Sequence, residues 1–473
     1  MNNNSSEDNN VTQELLYNQN QESNQDQDHS KRSMTAQEKN AYKGCIFKSC
    51  FLSVCFMLLF SAFNSAQNMV SQVYEKLGYG DLGNVALFSL YFAFGISSFF
   101  GVQLVSLAPQ KIIFIISGVF YNCFMFAGFI LVHCPDKTNN KQESLPFQCK
   151  EPVVYTYMIL ASVLCGVAAA MIWVSQGSYL EAVGQQCKPK SGLFVGIFWS
   201  IMQCSQILGN TMSYFLLGLE NGTQIYFTVM LIIGLIGNFL FAFLPPVSDE
   251  VIIKKKEKPS IQRMKNLFYI KEIIPLMTLM SFTGVIIAFY SGFLYKLVEK
   301  TPQGNGDNSS QNTALIFIVL GVSEFISGLT SGTLATKFNL YNLATFGTLL
   351  AEVALVMSLF GCFFEKYVLV FFIAAIWGFA DCYFNVIVQE ICNRDYPNYV
   401  EIFALFRLVL AFSNSTTQAL KMIITNPYAF ICIIIVFQMI TNLGTRLLSK
   451  PDISKLREVK QKEQDEEQST ENV

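Results

Sequence analysis

The chain has 473 residues, 52% hydrophobic and 14% charged, with 43 Phe and a net charge of −2 from 32 basic and 34 acidic side chains. A single soluble core cannot hide that much apolar surface without leaving long hydrophobic runs in water. The composition therefore excludes an ordinary soluble globule, and the near-neutral balance gives no basis for nucleic-acid binding.

Residues 1–44 are rich in Asn, Gln, Ser, Asp and Glu and almost free of large apolar groups, so they read as a disordered tail. No positively charged segment followed by a short apolar stretch opens the chain, so the first helix is expected to act as an uncleaved insertion signal. Six apolar stretches follow, at Cys45–Asn68, Val85–Val105, Ile112–His133, Val153–Gln176, Gly192–Gly218 and Gln224–Pro246. Residues 247–272 form a basic linker. Six more stretches follow it, at Ile273–Leu297, Ala314–Thr336, Tyr341–Phe364, Tyr367–Ile391, Glu401–Ile424 and Pro427–Leu448, before a charged tail over 450–473. Each stretch is apolar on all faces and close to the ~20 residues a helix needs to cross a bilayer. A membrane strand would be about half as long and would alternate in character. The expected fold is all-α, with twelve transmembrane helices in two six-helix halves, 45–246 and 273–449.

Most of the 32 Lys and Arg fall on the side that carries both termini, while Lys76, Lys137, Lys141, Lys150, Lys296, Lys300, Lys366 and Lys421 fall on the other. That bias predicts cytoplasmic termini. The sequons at Asn221 and Asn308 then lie on the outer or lumenal side, as candidate glycosylation sites. Cys134 and Cys149 share an outer loop, where they either pair as a disulfide or remain two free thiols. The remaining cysteines show no CxxC pair, so neither a zinc site nor any cofactor is expected.

The start of the second helix, Asn84-Val85-Ala86-Leu87-Phe88, resembles that of the eighth, Asn312-Thr313-Ala314-Leu315-Ile316. With the six-plus-six layout, this favours two parallel halves, the layout of the major facilitator superfamily. Gly78, Gly80 and Gly83 spell G-x-G-x-x-G, but no strand precedes them and a membrane helix follows, so a dinucleotide fold has nowhere to form.

Polar groups within apolar helices are the functional lead, because each costs free energy in hydrocarbon unless it faces the bundle interior and finds a partner. Asp381, Asn385 and Gln389 recur every four residues on the tenth helix, Arg407 lies in the eleventh as a counter-ion for Asp381, and Glu324 and Glu352 complete a C-terminal set. This set reads either as a structural ion pair or as a proton or cation site. The N-terminal half offers Asn64, Gln67, Asn68, Trp173, Gln176, Trp199, Gln203, Gln206 and Asn210. These either line a cavity for a small polar solute or bridge packed helices by hydrogen bonds. Gly328 and Gly332, with Ser323, Ser327 and Ser331, read as a close-packing stripe. With two His in all, and neither a nucleophile elbow nor a P-loop, the chain reads as a non-enzyme.

Several motifs resemble one family. Leu77-Gly78-Tyr79-Gly80 with Tyr91 and Leu107-Ala108-Pro109-Gln110-Lys111 is similar to its LGYG…Y…LGPK run. Trp173, Gln176, Gly177 and Tyr179 are similar to its W…QG.Y element. Gly196-Ile197-Phe198-Trp199 with Gln203, Ser205, Gly209 and Asn210 is similar to its G.FW…Q.S…GN element, and Gly378 to Asn385 resembles its GLGDSCFN run. This is the uncoordinated-ninety-three family of the major facilitator superfamily. The resemblance implies a lipid-embedded partner or regulator of another membrane protein, such as a potassium channel. The alternative is a secondary transporter of a small solute or cation. Against that alternative, the loops at Ser106–Lys111 and Thr336–Asn339 lack an Asp-Arg-rich gating signature.

Overall fold

The computed structural model describes residues 35–135, 146–187, 190–247, 264–265, 267–268, 270–304, 308–397 and 399–450. All regular structure among them is helical. We number the twelve long helices in chain order: α1 Ala36–Lys76, α2 Leu82–Phe99, α3 Gln110–Val132, α4 Glu151–Gln185, α5 Ser191–Leu216 and α6 Gly222–Leu240 make the first half. The second half comprises α7, which runs from Ile273 to Glu299 through a π-turn at Tyr290–Leu294, then α8 Ser309–Lys337, α9 Leu340–Phe364, α10 Tyr367–Asp395, α11 Val400–Ile423 and α12 Pro427–Arg446. All twelve are long and apolar enough to cross a membrane.

Several boundaries differ from those expected. The first helix begins at Ala36 rather than Cys45, because Thr35 and Glu38 form a capping box that satisfies the free N–H groups of the first turn. Residues 36–44 are therefore helix, while 1–34 lie outside the described residues. The same helix runs on to Lys76, giving 41 residues, or roughly 60 Å at 1.5 Å per residue. The second stretch breaks at Phe100 and resumes as a short helix, Gly101–Ser106. Most of the expected linker and all of 451–473 lie outside the described residues, but Met264, Leu267 and Ile270 at the end of that linker are buried in the core.

The outer faces of these helices are apolar. On α9, Phe346, Leu349, Val353, Val356 and Phe360 are all exposed and recur at helical spacing, and on α12 Ile433, Val436, Ile440 and Leu443 do the same. Stripes of this kind are untenable in water and fit a hydrocarbon solvent. The chain is an integral, multi-pass membrane protein.

The two halves repeat one packing scheme. In the first half α1 packs on α5 and α6, α4 on α2 and α3, and α3 on α6; in the second α7 packs on α11 and α12, α10 on α8 and α9, and α9 on α12. These are the same five pairs shifted by six helices. Between the halves the main contacts are α5 with α8 and α2 with α11, which exchange under a two-fold operation. Gly166 of α4 sits against the Leu90 carbonyl of α2, and Gly378 of α10 against the Leu320 carbonyl of α8, so the same close approach occurs once in each half. At the α5–α8 seam Gly196 and Gly332 bring backbone against backbone, which assigns the small-residue stripe of α8 to helix packing.

Candidate functional site

Where the halves meet, α1, α2, α3, α4, α5, α7, α10 and α11 line a cavity of about 60 Å³. At ~10–15 Å³ per water, it holds a handful of waters or one small solute. Its polar lining is Asn64 and Gln67, Tyr91, Tyr121, Trp173, Trp199 and Gln203, then Tyr290, Asp381, Asn385 and Arg407. All of these are buried except half-buried Asn64. Tyr290 projects from the π-turn of α7, an irregularity that re-aims side chains and recurs at functional sites.

Asp381 anchors one wall. Its Oδ2 accepts from Gln203 Nε2 at 3.2 Å and its Oδ1 from Asn385 Nδ2 at 3.3 Å, so α5 supplies one donor and the next turn of α10 the other. Glu324 of α8 lies beside it, fully buried, with no protein donor on either oxygen. Carboxyl groups accept unless protonated, so these two can hydrogen-bond only while the pair holds a proton.

Arg407 occupies another wall. The expected ion pair with Asp381 is not formed: Arg407 has no carboxylate partner among the described residues, and its Nε has no acceptor. The guanidinium instead lies over the Trp173 ring at 4.6 Å and the Phe406 ring at 4.5 Å, with the Trp199 ring at 5.9 Å. The two indoles are stacked at 5.5 Å with 9° between planes. An aromatic face attracts a cation without consuming its N–H donors. Neighbouring helices can carry opposite charges without those charges meeting, and aromatic faces outcompeted the carboxylate for this one.

Other expected lining residues sit above and below the cavity. Asn68 donates to Gln206 Oε1 at 2.9 Å and Asn210 donates to the same oxygen at 3.1 Å, forming an amide cluster between α1 and α5. Helical period correctly put these residues on an inward face but gave no depth. Asn210 is seven residues from Gln203, about 10 Å along the axis. Gln176 likewise leaves the cavity, donating to Gln389 Oε1 at 3.3 Å, an oxygen that also accepts from Trp199 Nε1 at 2.7 Å. Asn64, which does line the cavity, donates to Ser205 at 2.9 Å. Glu352 does not belong with the acidic set, because it accepts from Asn442 of α12 at 2.9 Å, away from the cavity. The sequence reading missed Tyr91, Tyr121 and Tyr290. A phenol within an apolar helix needs a partner, and that was the available signal; Tyr91 donates to Gln67 at 2.7 Å.

Further bonds join the halves beyond both amide layers. At the end where α1 begins, Ser191 of α5 donates across to Glu390 of α10 at 2.5 Å, while within the second half Arg394 donates to Glu390 at 2.6 Å and to the Ala335 carbonyl of α8 at 2.6 Å. At the opposite end Gln72 donates to Ser309 at 3.0 Å and Lys76 to Ser310 at 2.9 Å. Cys134 and Cys149 form a disulfide, with Cα atoms 5.5 Å apart. Asn221 and Asn308 are exposed, each at the start of a helix.

Comparison with solved structures shows the major facilitator superfamily fold. A proton:xylose symporter of that superfamily, XylE, solved with 6-bromo-6-deoxy-D-glucose, aligns with a TM-score of 0.64 at 12% identity over 86% of this chain and 95% of that one. The superfamily transporter FucP in an outward conformation aligns with a TM-score of 0.57 at 12% identity over 85% and 98%. In sequence, the UNC93-like protein MFSD11 of Xenopus tropicalis is 25% identical over 318 residues, 61% of this chain and 66% of its own length. UNC93-like protein 3 of Arabidopsis thaliana is 28% identical over 212 residues, 42% and 40% respectively. Protein unc-93 homolog A of Bos taurus is 31% identical over 176 residues, 35% and 33%. The matched stretch thus spans no more than 66% of these relatives. The family model described as ion channel regulatory protein UNC-93 matches residues 152–445, more than half the chain. This chain belongs to the UNC-93 family.

Proposed function

We propose that this protein acts as a partner or regulator of another membrane protein, an ion channel and in the first place a potassium channel. The family match over 152–445 carries this reading. In it, the apolar stripes of α9 and α12 are the surfaces that meet the partner within the bilayer, and both termini face the cytoplasm. The test is co-expression with members of the potassium-channel families, recording current and recovering channel subunits with the tagged chain. A partner channel should co-purify, and its current should change at least two-fold. If no channel co-purifies and no current changes, the reading fails.

A second reading is favoured by a specific observation, the cavity between the halves with Asp381 and Arg407 in its walls. In this reading the protein is a secondary transporter whose halves rock about that cavity. It predicts solute uptake into liposomes that Asp381→Asn abolishes. Uptake unaffected by that change would refute it.

A further inference from the structure

The central cavity presents one cation, Arg407, and one acidic pair, Asp381 with Glu324 beside it, that do not meet. Arg407 is buried, with no ion-pair partner among the described residues and an unpartnered Nε, and its guanidinium lies 4.6 Å from the Trp173 ring. Asp381 lines the same cavity with an amide donor on each oxygen, and no cation pairs with it among the described residues. Buried charges are retained when something completes them. A simple anion would complete Arg407 and leave Asp381 as it is. A simple cation would do the reverse, and a neutral polyol could hydrogen-bond to both but would neutralise neither charge.

We propose that the cavity binds a small zwitterion of the amino-acid class, its carboxylate on the Arg407 guanidinium and its ammonium on Asp381. This assignment rests on the solute-cavity reading above and gives that solute a chemical class. Three features fit it. The room available matches a solute of about five to seven heavy atoms, at roughly one heavy atom per water displaced. The guanidinium lies against the Trp173 ring at 4.6 Å, a contact that consumes none of its N–H donors, so these remain for a carboxylate, the group that the planar fork fits best. Gln203 and Asn385 fix the Asp381 carboxylate from α5 and α10, so the anion is pre-oriented before a ligand arrives.

The full chain, purified into nanodiscs, tests this with defined probes. Radiolabelled alanine and γ-aminobutyrate represent short and long charge separation. Acetate and ethylammonium carry one charge each, and xylose carries none. At least one zwitterion should bind saturably and raise the unfolding temperature, with acetate and ethylammonium at least tenfold weaker. Arg407→Met and Asp381→Asn should each weaken that zwitterion at least tenfold. Should either variant fail to fold, the selectivity of the unaltered protein decides. Acetate or ethylammonium binding as tightly as the zwitterions overturns the proposal. Xylose binding without either zwitterion overturns it but leaves a solute cavity standing, whereas no binding by any probe removes both.

Discussion

The Glu390 cluster, which receives one bond from the other half through Ser191, gives a sharp energetic test of a buried charge at the seam. Glu390 has 0% side-chain exposure and takes donors from Ser191 at 2.5 Å, Arg394 at 2.6 Å and Asn393 at 3.4 Å. Arg394→Met removes the only cation paired with Glu390 among the described residues and leaves a buried carboxylate on two neutral donors. Breaking one side of a fully buried pair costs ~3–5 kcal/mol. Arg394 is 34% exposed, however, so water already weakens its share, and the expected loss is about 2 kcal/mol. Glu390→Gln in the same background removes the stranded charge and keeps the size, so the double variant should be more stable than Arg394→Met alone by about 1 kcal/mol. Denaturant titration in detergent micelles, run as a four-member mutant cycle, measures both figures. If the two single losses simply add in the double variant, Glu390 and Arg394 do not form the coupled unit described here.

Four further outcomes follow from the structure. Gly332→Leu forces a side chain into the Gly196 backbone and should cost about 1–3 kcal/mol or block folding, while Gly44→Leu, where a Cβ meets nothing, should be silent; thermal unfolding compares the two. Cys134→Ser/Cys149→Ser opens a 15-residue loop and should lower stability by about 3 kcal/mol on the chain-entropy account, with unfolding in and out of reductant giving the same difference in the parent. Gln389→Leu strips the acceptor from Trp199 and Gln176 and should cost roughly 1–3 kcal/mol, whereas a change within 0.5 kcal/mol would show that these donors find other partners. If the sequon-bearing loops are lumenal, glycosidase should shift the protein on a gel, and Asn308→Gln should abolish or reduce that shift.

The spans were legible because lipid imposes a length and an all-round apolarity on each of them. The extra turns were not, since the capping box at Thr35 and the continuation of α1 past Asn68 to Lys76 are set by local capping and by packing, which hydropathy does not register. Asp381 and Arg407 stood out as charges in apolar helices, and the structure puts both in one cavity wall system. Their relationship was not legible. Sequence order makes helices neighbours but does not say which partner a side chain turns to, and Arg407 turned to Trp173 on a helix of the other half. Gln206 and Asn210 illustrate the same limit along the axis, where a correct face still ended one or two turns from the cavity.

The contact between Gly196 and Gly332 constrains how this molecule can change shape. Two main chains lying directly against each other have no rotamers to exchange, so the seam between α5 and α8 cannot loosen gradually by repacking. Any swing of one half past the other has to pivot on that line as on an axle, breaking the polar clasps at one rim while those at the opposite rim tighten.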